Sequence, residues 1–326
     1  MTSFLLKFDL FEDIRDDLYI VEKEIEKFVQ TPSALLTETS SHLLLAGGKR
    51  LRPAFALLAG KFHNYSLAKL LPLAIALETI HMATLVHDDV VDASLTRRGK
   101  PTVKAQWGDR ISLHTGDYLF SKSLVLISEY SDKRISSVLA KVSVQMCQGE
   151  IQQLATAYSI DQTIRDYFYK INRKTALLIS ASCQLGAIAV GAPDSLVKSL
   201  SKYGHFLGMA FQITDDILDM TADELELGKP IGSDIRQGII TLPAIQALKK
   251  HGHQSRLAEL LQKKEKTEEE IQEAIELIKH TGGIEYSFSI ARKYLEKAKK
   301  ELNNLPPVSC RETFEMMADF IYARSY

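Results

Sequence analysis

Three cysteines in 326 residues (Cys147, Cys183 and Cys310) are too few, too far apart and odd in number for a disulfide framework. They read as reduced thiols in an apolar core, which suits a cytoplasmic protein. Neither sign of charge is in excess. Forty Lys+Arg against 41 Asp+Glu leave a net charge of −1, which gives no footprint for nucleic acid and no polybasic membrane anchor. Long apolar runs are scarce. The longest uncharged stretch, Thr175 to Ala192, has 18 residues, the lower limit for a membrane span. Ser180, Ser182 and Gln184 interrupt it, so a buried core helix is expected and no transmembrane segment. The N-terminal MTSFLLKFDLFEDIRDDLY carries acids early, unlike a signal or transit peptide. No Pro/Gly/Ser-rich linker divides the chain and no stretch alternates with period two. These absences lead to an all-α fold in a single domain spanning residues 1–326.

Helical patterns fill the chain. Residues 10–30 place Leu18, Ile20, Val21, Ile25 and Val29 among acids and lysines, and Ile135–Leu154 is a second amphipathic segment, in which Gln148, Glu150 and Gln153 face either a cavity or solvent. Thr267 and Glu270 form a capping box ahead of Ile271, Ala274, Ile275 and Ile278, with Gly282-Gly283 as the stop. Tyr286–Leu302 follows as another charged helix. Tyr118–Ile127 is apolar on more than one side, so it is expected to be covered from every direction, by the core or by a second chain. Gly228, Pro230, Gly232 and Gly238 make 221–238 loop-like.

The chemistry is carried by acids. Asp88, Asp89 and Asp92 follow an apolar run, with Asp88 and Asp92 one helical turn apart. Three carboxylates so close repel one another unless a cation neutralises them, and oxygen ligands suit Mg²⁺. Arg97 and Arg98, phosphate-binding in type, come next. Alone, such a triplet is as well explained by a solvated helix end. It recurs, however, 127 positions later as Asp215, Asp216 and Asp219, again ending an apolar run and again followed by a base, Lys229. Two acidic helix ends could hold several Mg²⁺ ions that stabilise a departing diphosphate. Gly47-Gly48-Lys49-Arg50-Leu51-Arg52-Pro53 adds a turn that lets backbone approach a ligand and two cations three residues apart. His81, seven residues before Asp88, lies on nearly the same face, about 10 Å away. His87 is expected to make only local hydrogen bonds.

These segments, with Arg97-Arg98-Gly99-Lys100-Pro101, Lys174-Thr175 and Phe211–Asp219, resemble the trans-type isoprenyl diphosphate synthases over residues 40–245, all in that family's order. The resemblance implies an isoprenoid-synthase helical bundle around a cavity. It implies prenyl transfer: an allylic diphosphate ionises with Mg²⁺ assistance and is attacked by isopentenyl diphosphate. It places Lys49, Arg52, His81 and Arg98 on isopentenyl diphosphate. It places Arg97, Lys174, Thr175, Gln212 and Lys229 on the allylic diphosphate. It assigns Asp88, Asp89, Asp92, Asp215, Asp216 and Asp219 to the metal. Gly47–Gly108 with Gly116-Asp117-Tyr118 is most similar to catalytic subunits of two-component hexa- and heptaprenyl synthases. That implies a dimer, either of two copies or with a smaller partner chain, and a product serving quinone side chains such as menaquinone's.

Product length is expected to depend on the helix before Asp88. Thr84 and Ala83, four and five residues back, are small where short-chain relatives commonly carry aromatics, so the pocket should continue to Ile80, Leu77 or a residue from another helix. Small residues there would equally allow close helix packing. Three other readings fit part of the pattern: a class I terpene cyclase, a non-catalytic subunit of a heteromeric synthase, and a metal phosphohydrolase built on His87-Asp88. A cyclase needs no second diphosphate site, a silent subunit has no use for six clustered acids, and the remaining histidines lie in no metal-binding pattern.

Overall fold

A computed structural model of the protein describes residues 10–222 and 231–323. The all-α expectation is met. The helices are α1 (Arg15–Phe28), α2 (Ala34–Leu45), α3 (Leu51–Gly60), α4 (Leu67–Val91), α5 (Val103–Ser128), α6 (Lys133–Ala155), α7 (Ile164–Ile171), α8 (Leu177–Ala189) and α9 (Asp194–Thr221). They continue as α10 (Ser233–Arg236), α11 (Leu242–His251), α12 (Arg256–Gln262), α13 (Glu268–His280), α14 (Gly283–Leu302) and α15 (Ser309–Ala323). Among the described residues the only strands are β1 (Thr96–Arg97) and β2 (Lys100–Pro101), which pair antiparallel. Their two-residue turn has both central residues left-handed, Arg98 at φ 54° and Gly99 at φ 72°, the geometry that suits a tight hairpin.

The described chain falls into two compact units. The first comprises residues up to 140 together with 181–201 and 304–314. Its axis is α4, against which α1, α2, α3 and α5 pack. Leu70, Leu73, Leu77 and Ile80 are wholly buried, each contributing about 2 kcal/mol by removal from water. α4 is the one helix among the described residues long and apolar enough to cross a membrane, and 67% of its most apolar window is buried inside the protein. In α8, Gly186 lies against Ala56 so closely that a Cβ would come within 2.2 Å of the Ala56 carbonyl oxygen. α5 breaks at Gly108, whose φ of 80° and ψ of 171° are not helical.

The second unit comprises 141–180, 202–303 and the chain from 315 onward. Ile213 and Ile217 of α9 share its core with Ile245 and Leu248 of α11, and Ile275 and Ile278 of α13. The Thr267–Glu270 capping box is present in both directions. Gly208 meets the Ala176 backbone, where a Cβ would fall 2.6 Å from Cα.

Two expectations need correction, and a third is narrowed. Cys183 and Cys310 are buried but Cys147 is exposed. It lies on the outer face of α6 in line with Val144, Ile151 and Leu154, which are 59%, 67% and 48% exposed. The apolar character of that stretch therefore marks an outer stripe and not core. Tyr118–Ile127 buries Leu119, Ser123 and Ile127 but leaves Leu124 and Val125 at the surface of the single chain. Lys174-Thr175 does not open a regular helix either. Asn172–Ala176 forms a π-helical turn between α7 and α8.

Candidate functional site

In the first unit the motifs converge on the C-terminal half of α4. Asp88 lies in its last turn and Asp92 is its C-cap residue, both half-buried. Negative charge at this end of a helix opposes the macrodipole, so the acids favour a nearby cation. Asp89 points inward and is 1% exposed. Its Oδ1 accepts from Arg97 Nε at 2.8 Å and Nη2 at 2.7 Å. Burial raises the Asp89 pKa, and Arg97 works against that rise. The hairpin turn thus brings Arg97 onto the middle acid and directs Arg98 elsewhere.

Arg98, Arg52 and His81 form the second group. Burial and the positive charges of Arg50 and Arg97 lower the Arg98 pKa. Arg52, in the first turn of α3, is pushed down to about 10 by burial and by Arg98. Its Nε is buried with no protein acceptor, a deficit of about 1–3 kcal/mol that a bound anion would remove. His81 is held well below the usual imidazole range by desolvation and by Arg52, Arg98, Arg97 and Arg50, so it is neutral at pH 7 and able to donate one N–H. Lys49 lies in the turn between α2 and α3. The concentration of cations around a neutral histidine is chemistry suited to a diphosphate.

Arg50 was not singled out by the sequence, and its position explains how so many cations coexist. It is the N-cap residue of α3 with φ 47° and ψ 37°, a left-handed conformation costing about 1–2 kcal/mol for a residue with a Cβ. Its Nε and Nη2 donate to the two carboxylate oxygens of Glu22 in α1 at 2.6 and 2.8 Å. Nη1 donates to Glu78 of α4 at 3.0 Å, and Nη2 also reaches the Leu44 carbonyl at 3.2 Å. Burial lowers its pKa, but the Glu22 and Glu78 carboxylates outweigh this, so the net shift is upward. Glu78 is 2% exposed. Gly48 lets this happen: a Cβ there would lie 2.8 Å from Arg98 Nη1 and 2.9 Å from Arg50 Nη1.

His87 departs from the expected local hydrogen bonding: its Nε2 reaches across to α5, near the Leu113 carbonyl at 3.2 Å and Asp117 at 3.3 Å. Of the residues expected to set product length, Leu77, Ile80 and Ala83 are buried and Thr84 is half-buried, its hydroxyl donating to the His81 carbonyl at 2.8 Å.

In the second unit the α9 triplet anchors a hydrogen-bonded chain. Thr175 Oγ1 donates to Gln212 Oε1 at 2.5 Å, and Gln212 Nε2 donates to Asp216 Oδ1 at 2.8 Å. Tyr167, fully buried in α7, donates its hydroxyl to Asp216 Oδ2 at 2.6 Å. Burial pushes the Asp216 carboxyl up to about 6 despite these donors. Asp219 is buried and accepts from the Asp234 backbone N–H at 3.0 Å, while Asp215 is half-buried beside them. Lys174 lies 3.5 Å from Glu150, whose other oxygen accepts from Gln153. Lys170 is buried among Asp216, Asp234, Lys174 and Glu150, its Nζ donating to the Ile240 carbonyl, and burial lowers its pKa. Lys229 lies outside the described residues.

Tyr167, Lys170 and Asp234 escaped the sequence reading. A tyrosine and a lysine three apart in α7 look like an ordinary amphipathic helix, and their partners are 49 and 70 positions away. Among the described residues no three His, Cys, Asp or Glu side chains are grouped to hold a metal ion by themselves. Mg²⁺ is commonly bound by one or two carboxylates with water and substrate phosphates completing the shell, and Asp88, Asp92 and Asp215 are each half-buried carboxylates.

Residues 33–278 match the family described as polyprenyl synthetase. Heptaprenyl diphosphate synthase component 2 of Geobacillus stearothermophilus is 47% identical over 97% of this chain and 98% of its own length. The protein of that name from Bacillus subtilis (strain 168) is 45% identical over 96% of this chain and 89% of its own length. A solved polyprenyl synthase from Caulobacter crescentus CB15, complexed with calcium and isoprenyl diphosphate, is 34% identical and covers 97% of each chain with a TM-score of 0.93.

Proposed function

Because this chain belongs to the polyprenyl synthetase family, we propose that it extends an allylic diphosphate, farnesyl diphosphate in the first instance, with isopentenyl diphosphate to an all-trans hexa- or heptaprenyl diphosphate. The observation that carries the reading is the Arg52–His81–Arg98 group, in which the Arg52 Nε atom is buried with no protein acceptor. A terpene cyclase, acting on one diphosphate, has no use for such a pocket in addition to two aspartate triplets. Relatives named heptaprenyl diphosphate synthase component 2 at 45–47% identity support the long product.

In this reading Lys49, Arg52, neutral His81 and Arg98 hold the isopentenyl diphosphate. Mg²⁺, when bound, supplies charge neutralisation at the allylic diphosphate. Asp88, Asp92 and Asp215 would hold it, and the buried Asp89, Asp216 and Asp219 brace them. Arg97 commits two of its five N–H donors to Asp89, leaving the rest for the allylic diphosphate, to which Lys174 is also assigned. Thr175 and Gln212 fix Asp216 and line the same diphosphate, and Lys229 adds a further cation. The allylic C–O bond breaks with its electron pair leaving on diphosphate, and the isopentenyl double bond attacks the cationic carbon. A proton is then lost to the departed diphosphate, so positioning and electrostatics do the catalysis.

The chain is read as one cytoplasmic domain, supported by boundaries between units that fall inside α6 and α9. It is also read as one half of a dimer. Leu124 and Val125 of α5, and separately the Val144–Leu154 stripe of α6, offer apolar surface for a second subunit. The name component 2 carried by those relatives supports a second, different subunit, read here as a smaller chain. The test is incubation with Mg²⁺, farnesyl diphosphate and labelled isopentenyl diphosphate, with and without such a partner, resolving products by length. Failure to incorporate isopentenyl units under any combination refutes the activity, and products stopping at four units refute the long-chain assignment.

A further inference from the structure

Resting on that reading of the first unit, we propose that Glu22, Arg50 and Glu78 form a positioning clamp that presets the isopentenyl diphosphate pocket without touching substrate. Arg50 ties together three pieces of chain: α1 through Glu22, α4 through Glu78, and the end of α2 through the Leu44 carbonyl. Nothing local favours an arginine at a left-handed N-cap, where glycine or asparagine fits with less strain. The side chain's distant partners hold it there. With Arg50 fixed, the turn that carries Gly48 and Lys49 is fixed, and Arg52 follows two residues on, in the first turn of α3.

The clamp also solves a charge problem. Arg50 and Arg98 bring their Nη1 atoms to the same side of Gly48. Two guanidiniums at one glycine repel each other before any diphosphate arrives. Glu78 is buried beneath them, spends one oxygen on Arg50, and leaves Oε2 without a hydrogen-bond partner. Its charge therefore acts on Arg52 and Arg98 as well, holding both in place while the pocket waits for its anion. Glu78 sits one turn before His81 on α4, so the same helix supplies the counter-charge and the neutral donor. Glu22 is the informative member. It lies on a different helix, is partly exposed, and reaches the pocket only through Arg50.

The experiment compares wild type with Glu22→Gln and Arg50→Lys in steady-state condensation, varying each substrate in turn. The expected result is a roughly tenfold rise in KM for isopentenyl diphosphate, with kcat within about twofold and KM for the allylic substrate unchanged. Arg50→Lys keeps the charge but loses the bidentate fork, so it should behave like Glu22→Gln, whereas Glu22→Asp should recover most of the affinity. A lowered melting temperature with unchanged KM for isopentenyl diphosphate would show that the clamp only staples helices, and overturns the proposal. Calorimetric titration with inorganic pyrophosphate, without divalent cation, separates this from failure of the functional reading. If wild type makes no prenyl product but binds pyrophosphate more tightly than Glu22→Gln, the condensation reading falls and the clamp stands. Equal pyrophosphate affinity overturns the clamp.

Discussion

Replacing Tyr167 by Phe removes one oxygen atom and no packing volume to speak of. In the wild-type protein that hydroxyl donates at 2.6 Å to Asp216 Oδ2, and Gln212 donates to the other oxygen. A hydrogen bond to an ionised group contributes about 1.5–3 kcal/mol net. For 326 residues, unfolding entropy of ~2.1 cal/mol/K per residue gives about 0.7 kcal/mol per degree, so a loss near 2 kcal/mol lowers Tm by about 3 °C. The pH dependence has a definite sign. Asp216 is pushed up to about 6 from an ordinary value of 3.8, so the folded protein holds its proton more tightly than the unfolded chain. The associated stability is fully present below about 3.8 and is lost as pH rises through about 6. Removing the tyrosine donor weakens the carboxylate form further, so in Tyr167→Phe the decline should extend to higher pH. The assay is thermal unfolding followed by circular dichroism from pH 4 to 8 with metal chelated. Turnover with Mg²⁺ should fall about 10–100-fold, as when a ligand's supporting hydrogen bond is lost. Unchanged Tm, pH profile and turnover would refute the role given to this bond.

Asp88→Ala or Asp215→Ala should each cut turnover by about three orders of magnitude, since a lost metal ligand removes several kcal/mol of transition-state stabilisation, while circular dichroism shows an intact fold. Near-normal Mg²⁺-dependent turnover in either variant would remove that residue from the metal site. Arg52→Ala should raise KM chiefly for isopentenyl diphosphate and Lys174→Ala chiefly for the allylic substrate, and equal effects on both would collapse the two-pocket assignment. Thr84→Phe should shorten the product to three or four isoprene units with ionisation intact. The half-buried Thr84 is the better site than Ala83, because Ala83 is fully buried and a phenyl ring there would overpack the core. An unchanged product ladder would place the end of the pocket elsewhere.

What the sequence disclosed, it disclosed through local spacing. The acids ending α4 and α9, the Thr267–Glu270 box and the apolar core of α8 all follow from neighbours three or four positions apart. The Asp89–Arg97 pair, eight residues apart, already depends on a hairpin turn that period counting does not register. Arg50 was written into the most legible basic motif and still went unread. Both of its carboxylate partners lie 28 positions away, one on either side. Tyr167 hid in the same way. Cys147 and Leu124 show the other limit: apolar character fixes which residues avoid water, but not whether their own chain or another provides the cover.

The π-helical turn at Asn172–Ala176 confines the effect of one extra residue to the turn itself. A π turn accommodates one residue more than the α-helical path it replaces. Deleting a single residue from this segment would take up that turn and leave regular helix, with α8 beyond it still in register. Lys174 and Thr175, which the turn carries, would be re-aimed relative to Glu150 and Gln212. The extra residue therefore sets the direction of two side chains without moving the helix that follows them.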